Sequence, residues 1–362
     1  MSDVREPSNP TGKTPRDAKA EPGLASENPT FSVDELIGEL RKTSNGIPTG
    51  WDAVDTLGVR FRPKELALLA ARTGHGKTSA LVNIAMRMLG GLSDAGRPEP
   101  LLYYSHEEPP EHILCRLIAL LAIRPIEPWT VTEIREHFSG ASGSNPNRNA
   151  GDFAQLDGAL DRLRALESGI VVIHKPAWSA AQIGNHARSI AAARGVGAVF
   201  IDYLQRIPVS PSLHARDQEI ALTGRMLKSL AIDIGAPVIA GAQVDRDVIP
   251  DGYQDRVRKA ASGSIADALE VMKSARPDLN YLREGGSEQE ADLILGLMNY
   301  AADLRVEASA VQATTDHYEV GVLKNRYGPT GKWAELSYSG SSGLISDIGV
   351  PIEASISLRA SA

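Results

Sequence analysis

Lys77 and Thr78 close an octapeptide, Ala71-Arg72-Thr73-Gly74-His75-Gly76-Lys77-Thr78, in which two glycines stand just ahead of a cation and a hydroxyl. Gly74 and Gly76 let a backbone wrap closely round an anion, Lys77 can reach the β- and γ-phosphates of a nucleotide, and the Thr78 hydroxyl can ligate magnesium. The pattern points to a nucleoside triphosphate held by Arg72, Thr73, Gly74, His75, Gly76, Lys77, Thr78 and Ser79, with Mg2+ beside it. Ala71 replaces the first glycine of the usual pattern, so the strict consensus is not met. The context supports the reading nonetheless. An apolar run, Leu66 to Ala70, enters the loop and a helical pattern leaves it, so backbone amides and a helix N-terminus converge on one point.

Two carboxylates end buried runs. Ala198-Val199-Phe200-Ile201-Asp202, about 125 residues beyond the loop, is a strand closed by an acid, the arrangement by which a second group orders a magnesium shell. Locally, Asp202 reads equally as a turn residue. Leu101-Leu102-Tyr103-Tyr104 runs into Ser105-His106-Glu107-Glu108, which puts a carboxylate at the C-terminal end of a strand, where ligands of open α/β sheets bind. Glu107 is the candidate base that polarises an attacking water. Glu107 and Glu108 read equally as acids ahead of Pro109-Pro110 that complement the dipole of a helix over 111–121.

These groups need a scaffold, and the hydrophobic pattern supplies one. Short apolar runs at 66–70, 101–104, 170–174, 198–201, 238–242 and 293–298 alternate with helix-spaced apolar residues at 78–88, 111–121, 180–193 and 218–234. Alternation of that kind predicts an α/β fold with a mostly parallel twisted sheet and helices on both faces. Two stretches break the pattern, at 139–151 and 247–275, and read as surface insertions. Residues 1–30 are too polar and Pro-rich to bury a core and are expected to be a disordered tail. Ser32-Val33-Asp34-Glu35 opens a short amphipathic helix with a capping box, so 31–45 is read as a linker helix. The remaining expected boundaries are one main domain over 46–345 and a C-terminal tail over 346–362.

Composition narrows the class. The 362 residues are 42% apolar and 23% charged, ordinary for a soluble globular chain. No apolar run approaches the ~18 residues of a membrane span, so no membrane partner is expected and a cytoplasmic location is. The formal charge of −7 argues against a passive DNA coat, so any nucleic-acid contact must be local. One cysteine, Cys115, lies in an apolar-periodic stretch and reads as a buried thiol. With eight histidines in no paired spacing, a protein-ligated structural metal is not expected.

Six further segments carry a resemblance. Ile47-Pro48-Thr49-Gly50, Ser105-His106-Glu107, Ile201-Asp202-Tyr203-Leu204-Gln205, Val238 to Gln243, Leu282 to Asp292, and Lys324-Asn325-Arg326-Tyr327-Gly328-Pro329-Thr330-Gly331 follow one another in order. Together with the loop at 71–78 they resemble the C-terminal, RecA-like motor domain of DnaB-type replicative helicases over about residues 47–340. Ala71 matches that family's own form of the loop. The resemblance implies ATP as the nucleotide, Glu107 as catalytic glutamate, Asp202 as magnesium-shell acid and Gln243 as the sensor of the γ-phosphate. It also implies that Lys324 and Arg326 reach across a subunit boundary to the neighbour's γ-phosphate, which requires a homo-oligomeric ring, a hexamer. Read without the family, the two cations are solvated charges leaving a strand over 317–323.

The segment Leu282 to Ser287 resembles the family's DNA-facing loop, which implies that Arg283, Glu284 and Gly286 follow single-strand phosphates; read locally it is a Gly-rich turn with Arg283 paired to an acid. Arg246, Arg256, Arg258, Lys259 and Lys273 in or near the 247–275 insertion would add pore contacts or form only a solvated surface helix. His106 and Glu108 depart from the family's usual apolar neighbours of the glutamate. About 45 residues precede Ile47, so the family's helical collar and its docking of primase are not expected. The implied activity is ATP-dependent translocation along single-stranded DNA in replication, 5′ to 3′, with loader or replication proteins as further partners. The alternative is a RecA-like ATP-dependent switch or recombination mediator that does not unwind.

Overall fold

Leu66–Ala71 is apolar at every position and fully buried, so both faces of this strand must be covered. Ala67, Leu69 and Ala71 face one core cluster while Leu66, Leu68 and Ala70 face a second on the other side of the sheet. The computed structural model describes residues 32–43, 46–94, 96, 99–122, 128–140, 148–209, 215–244, 249–282, 286–303 and 316–350.

Six parallel strands form as the sequence predicts: β1 (Leu66–Ala71), β2 (Leu101–Ser105), β3 (Ile170–His174), β4 (Ala198–Asp202), β5 (Val238–Gln243) and β6 (Leu293–Asn299). Their order is β3-β2-β4-β5-β1-β6, which seats β5 between the strand of the glycine loop and the strand that ends in Asp202. Three antiparallel strands extend this to nine: β7 (His317–Asn325), β8 (Trp333–Tyr338) and β9 (Ile345–Asp347). β7 continues past its expected end at Leu323. β8 and β9 were not expected, and β9 carries the sheet to Asp347.

The helices are α1 (Val33–Thr43), α2 (Asp52–Asp55), α3 (Lys77–Asp94), α4 (Pro110–Leu121), α5 (Val131–Ser139), α6 (Ala150–Ala165), α7 (Ala180–Arg194), α8 (Arg216–Ile234), α9 (Tyr253–Ala261), α10 (Ile265–Lys273), α11 (Ser287–Glu290) and α12 (Tyr300–Asp303). Buried residues of α3, α4 and α6 fill the first core, and those of α7 and α8 fill the second. Cys115 of α4 is buried in the first. None of the described helices is long and apolar enough to cross a membrane.

The two stretches read as insertions are partly ordered by their own chemistry. At 139–151, α5 ends on left-handed Gly140 and α6 starts at a reciprocal cap between Asn149 and Asp152, with residues 141–147 outside the described set. At 247–275 the structure forms a helix pair rather than a single surface helix. Tyr253, Val257, Ala268, Met272 and Ala275 pack with Met298 and Tyr300 at the end of β6, while Arg256, Arg258 and Lys259 are exposed. Arg246 lies outside the described residues.

The segments around Gly50 and Ile345 are fastened through α3. The fully buried Asn83 side chain donates to the Ser79 and Gly343 carbonyls at 2.8 Å each and accepts from the Ile345 N–H at 3.0 Å. Arg87 donates to the Gly50 carbonyl at 3.1 Å and to the Ile345 carbonyl at 2.6 Å, and lies over the Trp51 ring. The segment around Thr49, gathered on the Asp55 carboxylate, thereby meets β9. The described residues up to Lys42 belong to a separate unit. In it Ser32 and Glu35 exchange the expected capping bonds, and Val33, Leu36 and Ile37 are exposed.

Candidate active site

The glycine loop joins β1 to α3 at the carboxyl edge of the parallel strands. Gly74 and Gly76 have φ of 84° and 78°, a region that disfavours any side chain, so both glycines are required by the turn itself. Thr73 and Gly74 are exposed at its tip. Arg72 and His75 turn their side chains inward. Arg72 Nη2 lies 3.4 Å from the Met298 sulfur, and His75 Nδ1 accepts from the Asn299 N–H at 3.1 Å. Both fasten the loop to the end of β6, so what they offer a phosphate is main chain. Ser79 is buried with its hydroxyl 3.4 Å from that of Tyr338.

Lys77 donates to the Ala71 carbonyl at 3.4 Å and sits 5.4 Å from the centre of the Tyr203 ring. Burial lowers its pKa, and the nearby Asp202 and Glu107 carboxylates oppose that shift. A buried ammonium facing acids is poised to take a phosphate group as its partner.

Asp202 ends β4 and is fully buried. Its Oδ2 accepts from the Tyr103 hydroxyl at 3.0 Å, while Oδ1 is buried with no hydrogen-bond partner among the described residues. Burial pushes its pKa up to about 6, against the pull of the Thr78 and Tyr103 hydroxyls, and the Glu108 and Glu107 carboxylates push it further. A buried carboxylate oxygen left unpaired beside a threonine hydroxyl is the donor set a hard divalent cation takes, so Thr78 and Asp202 fit Mg2+.

Glu107 stands one strand over, at the end of β2, exposed and with no hydrogen bond or ion pair among the described residues. Its neighbour is used differently. Glu108 makes a two-bonded ion pair with Arg116 of α4 at 2.6 and 2.9 Å, and its backbone exchanges bonds with the Ser105 hydroxyl. The two acids are therefore not an equivalent pair at a helix start; the first-turn acid of α4 is Glu111. His106 is buried, and its N–H donates to the Asp202 carbonyl at 2.8 Å, which ties the tips of β2 and β4 together.

Gln243 ends β5 opposite Ala71. The Gln205 carboxamide holds its backbone at both ends, donating to the Gln243 carbonyl at 3.0 Å and accepting from its N–H at 2.9 Å. That clamp fixes the Gln243 backbone next to the last residue of β1.

Lys324 and Arg326 lie elsewhere. Tyr318, near the start of β7, reaches the loop with its hydroxyl 3.3 Å from the His75 carbonyl, whereas Lys324 pairs with Ile294 at the far end of the strand. Six residues of strand put the two ends about 20 Å apart. Neither cation is merely solvated: Lys324 donates to the Glu288 carbonyl at 2.6 Å and Arg326 is 2.9 Å from Asp292 Oδ1. Arg283 and Glu284 lie outside the described residues, and Gly286 opens α11 in the left-handed region.

Tyr103, Gln205 and Tyr318 each contact a candidate site residue or its backbone, a role that the sequence gives to none of them, although Gln205 lies in a segment that carries the resemblance. A tyrosine inside a buried strand is the available signal for the first, because its hydroxyl demands a partner.

Residues 46–256 match the model of the DnaB-like helicase C terminal domain family. The replicative DNA helicase DnaB of Mycoplasma genitalium is 26% identical over 83% of this chain and 58% of its own length. The replicative DNA helicase DnaC of Bacillus subtilis is 27% identical over 83% of this chain and 57% of its own length. This chain thus spans less than three fifths of these relatives. Among solved structures, that of a DnaB-like replicative helicase and its interactions with primase shares the fold with a TM-score of 0.64 and 23% identity, covering 87% of this chain and 67% of that one.

Proposed function

We propose, from the premise that this chain belongs to the DnaB-like helicase C terminal domain family, that it is an ATP-driven hexameric motor that moves along single-stranded DNA and unwinds duplex ahead of it in DNA replication. The observation that carries the reading is the separation of the charged groups. Lys77, Thr78, Asp202 and Glu107 meet at the carboxyl edge of the sheet, and Lys324 and Arg326 lie at the other edge, about 20 Å away. A chain arranged in this way cannot bring its own Arg326 to its own nucleotide. A head-to-tail ring solves this, because each subunit then offers its cations to the next subunit's phosphates.

In this reading the loop amides and Lys77 bind the triphosphate, and Glu107 orients the attacking water and takes its proton. Mg2+, held by Thr78 with Asp202 ordering its shell, supplies charge neutralisation when bound. Gln243, fixed through its backbone by Gln205, reports the state of the γ-phosphate to the DNA-facing loops. Arg283, Glu284 and Gly286 follow the DNA backbone, and the exposed apolar side of α1 docks on the adjacent subunit. We place the protein in the cytoplasm with loader or replication proteins as partners.

The test is unwinding of a forked duplex by wild type, Lys77→Ala and Arg326→Ala. The motor reading predicts ATP-dependent strand separation by wild type and none by either variant, with nucleotide binding retained by Arg326→Ala. ATP hydrolysis stimulated by single strands without strand separation would favour a RecA-like switch or recombination mediator instead.

A further inference from the structure

Arg326 is held at both its backbone and its side chain by one residue. Its N–H donates to the Asp292 carbonyl at 2.9 Å, and Nη1 lies 2.9 Å from Asp292 Oδ1. The side chain of Arg326 is nonetheless 48% exposed, so its guanidinium is pinned on one side and presented to solvent on the other.

Asp292 is itself immobilised. It is 1% exposed, and its Oδ2 accepts from the N–H of Leu66, the first residue of β1, at 3.0 Å and from Lys228 of α8 at 2.6 Å. Its own N–H donates back to the Leu66 carbonyl at 2.8 Å. A carboxylate is a costly means of satisfying one backbone N–H, since burial of the charge has to be offset by cations. A neutral amide would serve the strand equally well. What the charge adds is a fixed anion against the guanidinium, since Oδ1 meets Nη1 as an ion pair without hydrogen-bond geometry.

An arginine that must meet a phosphate outside its own subunit starts with the rotamer freedom of a long side chain to lose. Holding it beforehand in one orientation removes that loss from the reaction, and small misplacements at such a group are expensive. We propose that Asp292 is the positioning residue for Arg326, fixing the angle at which the guanidinium leaves its subunit and tying it rigidly to the strand that carries the same subunit's phosphate loop. The inference rests on the reading of Arg326 as a cation supplied to a neighbour.

The test is complementation in mixed oligomers. Asp292→Asn keeps an acceptor for the Leu66 N–H and removes the charge, so its own nucleotide pocket should remain intact while Arg326 loses its anchor. Alone it should bind a fluorescent ATP analogue like wild type and hydrolyse ATP ~10- to 100-fold more slowly. Mixed one to one with Lys77→Ala, itself inactive, it should regain hydrolysis, because about a quarter of interfaces then join a sound pocket to a sound Arg326. Arg326→Ala mixed with Lys77→Ala sets the benchmark.

Recovery in the benchmark mixture but none with Asp292→Asn overturns the positioning role. Loss of nucleotide binding by Asp292→Asn also overturns it, since Asp292 would then serve its own pocket's fold. No recovery in the benchmark mixture overturns the neighbour-supplied cation itself, and the inference with it.

Discussion

Tyr103 donates its hydroxyl to Oδ2 of Asp202 at 3.0 Å, with both side chains fully buried and the other carboxylate oxygen left without a partner among the described residues. The bond fixes one oxygen of an acid that lies beside the Thr78 hydroxyl and leaves the other unpaired. Tyr103→Phe keeps the ring and removes the orientation. A hydrogen bond to a charged group is worth about 1.5–3 kcal/mol, so the affinity for Mn2+ in the presence of nucleotide should fall ~10-fold or more. Electron paramagnetic resonance titration of Mn2+ measures it, and unchanged affinity would remove Tyr103 from the account.

Acidity should act on the same acid. Asp202 is raised by burial to about 6, so it holds a proton below that value and must release it for a cation to bind. Divalent-metal affinity is therefore expected to be level above about pH 7 and to decline towards tenfold per unit below pH 6. Calorimetric titration of Mg2+ between pH 5 and 8 reads this directly. A profile flat down to pH 5 would contradict the assignment of Asp202.

Glu65 gives a stability prediction with a defined sign. Burial pushes its carboxyl up to about 7, against nearby Arg62. Because the folded chain holds this proton more tightly than the unfolded one, the associated stability is complete below about 4.5 and is lost as pH rises through about 7. Glu65→Gln should thus be near neutral at pH 5 and stabilising at pH 8 by on the order of 1–2 kcal/mol. Thermal unfolding of both proteins at the two pH values checks it; a difference independent of pH would refute the cause.

Asn83 makes four side-chain hydrogen bonds, two within α3, to the Ser79 carbonyl and from Arg87 at 3.0 Å, and two that join α3 to Gly343 and to Ile345 of the last strand. Asn83→Ala leaves buried carbonyl and N–H groups unpaired and should cost about 2–4 kcal/mol in chemical denaturation. A loss below ~1 kcal/mol would mean that the β9 region is held by other contacts.

Much of this arrangement can be read from sequence, for a physical reason. Strands buried on both faces must be continuous apolar runs, so β1, β2, β4 and β5 announce themselves, and the acids and glycines that interrupt those runs mark the carboxyl edge. β8 and β9 escape because Trp333-Ala334-Glu335-Leu336-Ser337-Tyr338 carries an exposed glutamate and β9 has three residues. The α9–α10 pair escapes because α9 is polar and charged and signals little until Tyr253 and Val257 find α10, Met298 and Tyr300. At the site, a loop pattern gives positions but not directions: it names Arg72, His75 and Ser79 without revealing that all three face the protein. The partners Tyr103–Asp202 and Asp292–Arg326 are long-range or conformational pairings that spacing alone does not encode.

The central claim, a hydrolytic motor whose water is activated at the end of β2, is tested most directly by ATP hydrolysis in the presence of single-stranded DNA for wild type, Glu107→Gln and Glu108→Gln. Glu107→Gln is expected to bind nucleotide but to hydrolyse it ~100-fold or more slowly, since a positioned base contributes roughly that much, while Glu108→Gln, which loosens the ion pair to Arg116, loses far less. Hydrolysis by Glu107→Gln at the wild-type rate would contradict it.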